Sequence, residues 1–344
     1  MVRESIQVLK ILKFLLLALG FCILYLTVKA VGIETLAFNI VELKWRLLPL
    51  LVVYPFIFAF DTLGWGFAFP KSITPGLSAG RQVSFLRLYQ IRIIGETLNA
   101  IIPWAASLGG EPIKAELLKR KYGISLSEGY ASILIVHTTF WISLNLFVIG
   151  GVAVTLKTLP LSPVLWKMVL AFLAGLGFVA IFLVIGLHLG IFKQVHSFGE
   201  FFKWWGDQTE EKKIKYLKLD DEIKKFYTRD PRRFFLSVFF NFLGWFTGIF
   251  EVYWIARLLG MPIGLAEAWL LEALIQVLRI VTFFIPSSIG AQEGGIVLIF
   301  LQCGFDQSLG LTFAVIRRMR EIVWLALGLT LWSFVEDKPK IQKK

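Results

Sequence analysis

Charged side chains interrupt the apolar stretches of this 344-residue sequence. They are Asp61, Arg92, Glu96, Glu111, Glu251, Glu272, Arg279, Glu293, Arg317, Arg318, Arg320 and Glu321. A charge at bilayer depth costs roughly 2.5 to 3.5 kcal/mol on insertion scales, so such residues usually bind an ion or a substrate, carry protons, or pair with one another. Both signs are present, and we regard Asp61 and Glu96 as candidates for proton coupling.

Arginine predominates in the last apolar stretch. Arg317, Arg318 and Arg320 have one acidic neighbour in the sequence, Glu321. The sequence therefore predicts an excess of guanidinium groups that binds an anion. Phosphate suits this role because a guanidinium group donates hydrogen bonds to two oxygens at once. An alternative is that this helix begins later, which would place the three arginines at the membrane surface.

Internal pairing is a further alternative for these charges. Arg92 and Glu96, like Arg317 and Glu321, are four residues apart, and side chains at that spacing meet on one face of a helix. The residues predicted to bind substrate are Arg92, Asn99, Glu111, Arg279, Glu293, Arg317, Arg318 and Arg320.

The chain interrupts an apolar helix twice in the same way, at residues 95–129 and at 277–310. The turn residues are Pro103, Gly109 and Gly110 in the first copy and Pro286, Gly290 and Gly294 in the second. An offset of 181 aligns Gly123, Ser127 and Gly129 with Gly304, Ser308 and Gly310, and one residue of slack aligns Glu111 with Glu293. Proline ends a helix and glycine permits a tight turn. Duplicated broken helices within apolar sequence are typical of transporters.

A second helix is expected after each break. In the first copy Pro112 follows Glu111, and proline is favoured at the first helical position, so we predict a helix that begins at about Glu111. The N-terminus of such a helix directs free N–H groups into the break and favours an anion there. The alternative for Glu111 and Glu293 is that they only cap their helices.

Composition identifies a polytopic membrane protein. Hydrophobic residues make up 57% of the chain, with 32 Phe, 12 Trp and a mean hydropathy of +0.72, more than a soluble core can bury. We predict an all-α integral membrane protein with a single membrane domain over residues 1–344. Each predicted span has about 20 or more mainly apolar residues, enough to cross roughly 30 Å of hydrocarbon. The spans are 11–31, 47–69, 126–151, 164–192, 234–257 and 309–334.

Basic residues set the predicted orientation. They collect in the N-terminal segment, in the 70–82 loop, after the first break (Lys114, Lys119, Arg120 and Lys121), in 193–233 and in the C-terminal tail. Cytoplasmic loops carry an excess of Lys and Arg, so both termini are predicted to be cytoplasmic, in the cytoplasmic (inner) membrane of the cell.

This orientation gives the two broken helices opposite topology. The first would enter and leave the membrane from the cytoplasm, and the second from the outside. We therefore predict an inverted-topology repeat of two halves, about 8–155 and about 163–335, each with three spans and one re-entrant broken-helix hairpin. The segment of about 193–233 is predicted to be a cytoplasmic amphipathic linker, because aromatic residues alternate with its charges. Its acidic residues would repel phosphates, so nucleic acid is not a predicted partner.

Asn99, Pro103 and the Gly109-Gly110-Glu111 turn resemble the transmembrane region of the lysylphosphatidylglycerol synthase/flippase family. Residues 286–294, with Arg317 or Arg318 downstream, resemble the second half of that region, and the resemblance extends over about residues 10–335. It implies a membrane domain that moves polar-headed lipids between leaflets. In two-domain relatives a soluble aminoacyl-transferring domain follows. We expect that domain to be absent here and this chain alone to transfer no lysyl group.

The predicted function is that of a lipid flippase and not of an enzyme. A cavity between the two halves would take a phosphate-bearing headgroup. The predicted partners are membrane lipids with anionic or phosphate-bearing headgroups, with a lipid-synthesising enzyme as a further possibility. The sequence has no Walker motif, and no cofactor is predicted. Its cysteines and histidines have no ligand spacing, so no metal site is predicted, and His137 is interpreted as a packing or hydrogen-bonding residue. The alternatives are a small-solute secondary transporter, a lipid-modifying membrane enzyme and a scaffold.

Overall fold

A computed structural model describes residues 22–29, 32–69, 83–101, 109–155, 230–282 and 285–336, with scattered positions at 163–185 and at 226. All regular secondary structure in these ranges is helical, as the sequence predicts. Pro103, residues 11–21 of the first predicted span, most of the fourth span and nearly all of the 193–233 linker lie outside the described residues.

The helices that position the site are numbered in chain order. They are α1 (Ile33–Leu43), α2 (Pro49–Ala68), α3 (Phe85–Ile101), α4 (Glu111–Tyr122), α5 (Leu126–Thr155), α6 (Pro231–Leu258), α7 (Leu265–Val281), α8 (Ala291–Gln302) and α9 (Gln307–Glu336). Short 3-10 segments, Lys44–Leu47 and Pro286–Ser288, precede α2 and α8. Proline opens both α2 and α6, where its missing N–H would have no helical partner.

Three of the described helices, α2, α5 and α6, are long and apolar enough to cross a membrane. They coincide with three of the predicted spans. The last predicted span is also helical, and at 30 residues α9 is about 45 Å long. However, Arg317, Arg318, Arg320 and Glu321 lie within it and make it more polar than those three helices.

The broken-helix units of the two halves have matching dimensions. Their first helices, α3 and α7, have 17 residues each, α4 and α8 have 12 each, and α5 and α9 have 30 each. Each middle helix is followed by a glycine with positive φ, 66° at Gly123 and 82° at Gly304. Glycine adopts this left-handed conformation without a steric penalty, so the chain turns at the same point in both broken-helix units.

The packing of these units also matches. α4 packs on α5, and α8 packs on α9. Across the two halves, α3 packs on α9 while α7 packs on α5, so the first helix of each unit lies against the last helix of the other. Trp65 and Leu118 belong to the apolar core of α2 to α5, and Phe147 and Phe300 to the core formed mainly by α5 to α9.

The halves also meet where α2 crosses α6. A Cβ atom built on Gly64 would lie 2.6 Å from Asn241 Oδ1, and one built on Gly244 would lie 2.7 Å from Asp61 Oδ1. Each helix therefore places a glycine opposite a polar side chain of the other. Residue numbers rise along α2 as they fall along α6, so the two helices are antiparallel. The guanidinium group of Arg233 donates to the carbonyl groups of Gly66, Phe67 and Phe69 at the end of α2.

Candidate functional site: two charged networks at the helix breaks

The first break ends where the sequence predicts, with α4 beginning at Glu111 and Pro112 in its first turn. The side-chain oxygen of Asn99 accepts a hydrogen bond from Gly110 N at 2.7 Å and so caps the turn. A Cβ on Gly110 would lie only 2.0 Å from the carbonyl oxygen of Gly95. Glycine at position 110 therefore allows the turn to lie directly on α3.

Six ionisable side chains and Asn99 meet beside this break, and we call them the hairpin-1 network. They are Asp61 on α2, Arg92 and Glu96 on α3, Glu111 and Lys114 on α4, and His137 on α5. Arg92 binds Asp61 at 3.2 Å and lies 3.6 Å from Glu96, which confirms the predicted pairing of Arg92 with Glu96. Asn99 Nδ2 donates to Glu111 Oε1 at 3.0 Å.

Lys114 is the centre of the hairpin-1 network, a role that the sequence analysis missed by assigning it to a cytoplasmic segment. Its Nζ lies 2.8 Å from Glu96 Oε1 and 2.9 Å from Glu111 Oε1, and its side chain is only 3% exposed. A Cβ atom on Gly95 would lie 2.0 Å from the side chain of Lys114, so the absence of a side chain at Gly95 leaves the space that Lys114 occupies. The spacing of three residues from Glu111 was the available signal for this pairing.

His137 also contacts the network. Its Nε2 lies 3.3 Å from Glu111 Oε1, and its side chain is 34% exposed. In the described part of the chain, the buried Oε2 atom of Glu111 and the Nε2 atom of His137 have no well-aligned hydrogen-bond partner. Glu111 does not cap α4 with its own side chain, so the alternative of capping alone is wrong for this residue.

The second break is more strained. Ser287 and Ser288 have positive φ values of 52° and 49°, and Gly290 has a φ of 76°. Non-glycine residues rarely adopt this conformation, and clusters of such strain are typical of functional sites. Glu293 Oε2 accepts a hydrogen bond from Gly290 N at 2.6 Å, so Glu293 does cap α8.

Eight charged side chains surround this second break, and we call them the hairpin-2 network. They are Glu251 on α6, Glu272 and Arg279 on α7, Glu293 on α8, and Arg317, Arg318, Arg320 and Glu321 on α9. The shorter contacts are Arg317–Glu272 at 2.6 Å, Arg318–Glu293 at 2.6 Å, Arg279–Glu321 at 2.6 Å and Arg318–Glu321 at 2.9 Å. Arg320 binds Glu251.

The predicted excess of guanidinium groups is therefore wrong. The network contains four arginines and four glutamates, and each arginine has an acidic partner. The compensating Glu251 and Glu272 come from α6 and α7, far from the arginines in sequence. Arg317 pairs with Glu272 rather than with Glu321 as the four-residue spacing suggested. α9 begins at Gln307, so the alternative of a later helix start is also wrong.

Exposure divides the four arginines into two pairs. The side chains of Arg317 and Arg320 are 3% and 1% exposed, and those of Arg279 and Arg318 are 35% and 23% exposed. A ligand can reach only the second pair without rearrangement of the packing. These two guanidinium groups bind the two oxygens of the same carboxylate, Glu321.

Two apolar grooves lie apart from the charged networks. One, of about 600 Å³, lies against α2 and α6 and is lined by residues such as Val52, Phe56 and Phe250. The other, of about 580 Å³, lies between residues 23–27 and α8, beside Gly294 and Leu298. Neither is lined by a member of the networks. Within the described ranges, no three His, Cys, Asp or Glu side chains are placed as metal ligands.

Comparison with known proteins gives one family match. The family described as "Lysylphosphatidylglycerol synthase TM region" matches residues 11–328, which is most of the chain. No curated protein and no solved structure matches the chain.

Proposed function

The chain belongs to the lysylphosphatidylglycerol synthase TM-region family, and on this premise we propose that it moves a lipid with a phosphate-bearing headgroup between membrane leaflets. The observation that carries the proposal is the contact of the two helix breaks. Ser287 Oγ donates a hydrogen bond to the carbonyl oxygen of Ala100 at 2.8 Å, where α3 ends. A charged network lies beside each break.

Membrane physics gives this arrangement its meaning. Irregular backbone at bilayer depth must be buried in protein or line a polar cavity, because lipid cannot satisfy its hydrogen bonds. Broken helices that meet near the midplane form the substrate sites of many secondary transporters. The networks hold the breaks closed in the present conformation, and their opening would form a polar path for a headgroup.

We infer that the two halves form an inverted repeat and that each broken helix is re-entrant. The equal helix lengths support a repeat, and so does the exchange of α3 and α7 between the halves. The antiparallel crossing of α2 and α6 supports the inversion, because these are the second spans of their halves. Rocking of one half against the other would expose the breaks alternately to the two leaflets.

Arg279 and Arg318 are the residues that we assign to the headgroup. A phosphate that approaches their exposed edges competes with Glu293 and Glu321 for the same guanidinium groups. Exchange of one anion for another keeps both arginines paired, so it avoids an isolated charge in the membrane. Arg317 and Arg320 keep their buried glutamates throughout and fix α9 to α6 and α7. The acyl chains stay in the surrounding lipid.

A translocation assay tests this function. The purified protein is placed in liposomes that contain fluorescent phosphatidylglycerol, and a membrane-impermeant quencher reports the lipid in the outer leaflet. We expect Arg279→Ala and Arg318→Ala each to slow translocation by about tenfold, the loss of one charge-assisted bidentate interaction. Arg318→Lys should retain part of the rate, because lysine keeps the charge but not the planar fork.

Arg257→Ala is the matched control, because Arg257 is exposed at the end of α6 and outside both networks. It should translocate at the wild-type rate. Equal rates in all variants would contradict the assignment of Arg279 and Arg318. Uptake of a water-soluble phosphate ester without movement of lipid would contradict the flippase and favour a small-solute transporter.

A further inference from the structure

The two hairpins place different side chains at the same position. The offset of 181 relates the first residue of α5, Leu126, to the first of α9, Gln307, and it relates His137 to Arg318. His137 lies 3.3 Å from Glu111, and Arg318 lies 2.6 Å from Glu293. Each hairpin thus has a glutamate at the start of its middle helix and a nitrogen side chain on its last helix. The side chain is a permanent cation in one half and an imidazole in the other.

The two networks also differ in their balance of permanent charges. The hairpin-2 network is balanced without any histidine. The hairpin-1 network has three carboxylates, on Asp61, Glu96 and Glu111, and two permanent cations, Arg92 and Lys114. Among the described residues, it is therefore one positive charge short when His137 is neutral. Histidine is the side chain that ordinarily gains or loses a proton between about pH 5 and pH 8.

We propose that His137 is a proton-binding residue of this protein and that its proton closes hairpin 1 as Arg318 closes hairpin 2. The imidazole takes one proton from water, and the formal charge of the hairpin-1 network changes from −1 to 0. Release of the proton leaves a neutral imidazole beside the Glu111 carboxylate, returns the network to a formal charge of −1 and loosens the hairpin. The coupling of this step to lipid movement rests on the function proposed above, whereas proton binding itself does not.

The surroundings of His137 support this assignment over Asp61 and Glu96. Asp61 is bound by Arg92, and Glu96 by both Arg92 and Lys114, so each already has a permanent cation. Glu111 shares Lys114 with Glu96, and its second oxygen, Oε2, has no hydrogen-bond partner in the described part of the chain.

The helices packed on α5 bring no further described charge to His137. α4 presents Glu111, with Lys114 on the far side of that carboxylate. α2 contacts α5 through Trp65 and Ser132, and its Asp61 is held by Arg92. α6 presents neutral side chains, Ser237 and Asn241, to Thr139. α7 contacts α5 through Trp269 at Phe147, nearly three turns beyond His137, and Glu272 is held by Arg317.

Histidine NMR tests proton binding without any transport. The full chain, labelled with nitrogen-15 at histidine and held in lipid nanodiscs, has three histidines, so the His137 signals are assigned by their loss in His137→Gln. We expect the His137 signals to change from those of a neutral imidazole to those of an imidazolium as the sample is acidified. In Glu111→Gln the imidazolium signals of His137 should weaken, because the neighbouring anion is gone. Glu116→Gln, a change at a partly exposed side chain of the same helix, should leave these signals unchanged. A His137 that stays neutral to pH 5, or one indifferent to Glu111→Gln, would overturn the proposal.

The coupling is tested by the pH profile of lipid translocation. In the wild type the translocation rate should differ between acidic and alkaline buffer. His137→Arg should have the low-pH rate of the wild type at every pH, and His137→Gln should have the high-pH rate. A wild-type profile in either variant would overturn the coupling and leave the flippase intact. Failure of the wild type to move any lipid would instead contradict the proposed function, and the NMR result would then decide proton binding alone.

Discussion

Ser287 of the second hairpin donates a hydrogen bond to the main-chain carbonyl of Ala100, the penultimate residue of α3, at 2.8 Å. This bond joins two breaks that are 187 residues apart in the sequence. Its donor residue, Ser287, has a positive φ of 52°, a backbone conformation that is disfavoured for a residue other than glycine.

Substitutions of Ser287 separate the bond from the strain. Ser287→Ala removes the hydrogen bond and keeps the strain, so we expect it to reduce the free energy of unfolding by about 1 kcal/mol. Ser287→Gly also removes the bond but releases strain of roughly 1 kcal/mol, so it should be the more stable variant. Thermal unfolding in detergent micelles ranks the two proteins. An alanine variant as stable as the glycine variant would show that position 287 holds no strain.

Gly110→Ala should be the most disruptive glycine substitution in the first hairpin. The added Cβ would lie 2.0 Å from a main-chain oxygen of α3, and backbone on both sides cannot yield cheaply. We expect a loss of about 3 kcal/mol in stability, at the upper end of the range for overpacking. Gly129→Ala is the matched control, because its Cβ would be at an ordinary distance of 3.5 Å from Ala115. Similar melting temperatures for the two variants would contradict the close packing of the turn.

Glu272→Gln should destabilise the protein strongly. It leaves the guanidinium group of Arg317, whose side chain is 3% exposed, without its closest carboxylate. Removal of one partner from a buried ion pair costs about 3 to 5 kcal/mol. Glu116→Gln affects an ion pair with Arg120 whose side chains are 37% and 66% exposed, and such pairs contribute about 1 kcal/mol or less. Comparable melting temperatures for these variants would refute a structural role for the buried pair.

Cysteine accessibility tests the inverted topology. In a chain with Cys22 and Cys303 replaced by serine, we expect single cysteines at the exposed positions Ser84 and Ser125 to react with impermeant thiol reagent only from the cytoplasmic side. Cysteines at Pro262 and Gln307, on either side of the second hairpin, should react only from the opposite side. The measurement uses intact cells and inside-out vesicles. Reaction of one hairpin's two flanks from different sides would show that it spans the membrane.

Local sequence patterns were sufficient to predict the apolar spans and the start of α4. A membrane-spanning segment must be a helix of about 20 mainly apolar residues, because lipid cannot satisfy backbone hydrogen bonds. Such a stretch can be recognised in the sequence without knowledge of the helices that pack against it. The 181-residue offset and the start of α4 at Glu111 depend on the residues of one segment, such as Pro112 and Gly123, whose conformational limits act locally.

The pairing of the charged side chains at the site depends on the tertiary structure. Arg317 and Arg320 read as unpaired because their partners, Glu272 and Glu251, lie on helices remote in the chain. Lys114 was assigned to a cytoplasmic segment because only the fold shows that its side chain packs against Gly95 of α3. The energy of an ion pair falls off with the distance between the two charges in space and does not depend on their separation in the sequence. The sequence therefore determined where the helices break, and only the packing of the two halves determined which charges meet there.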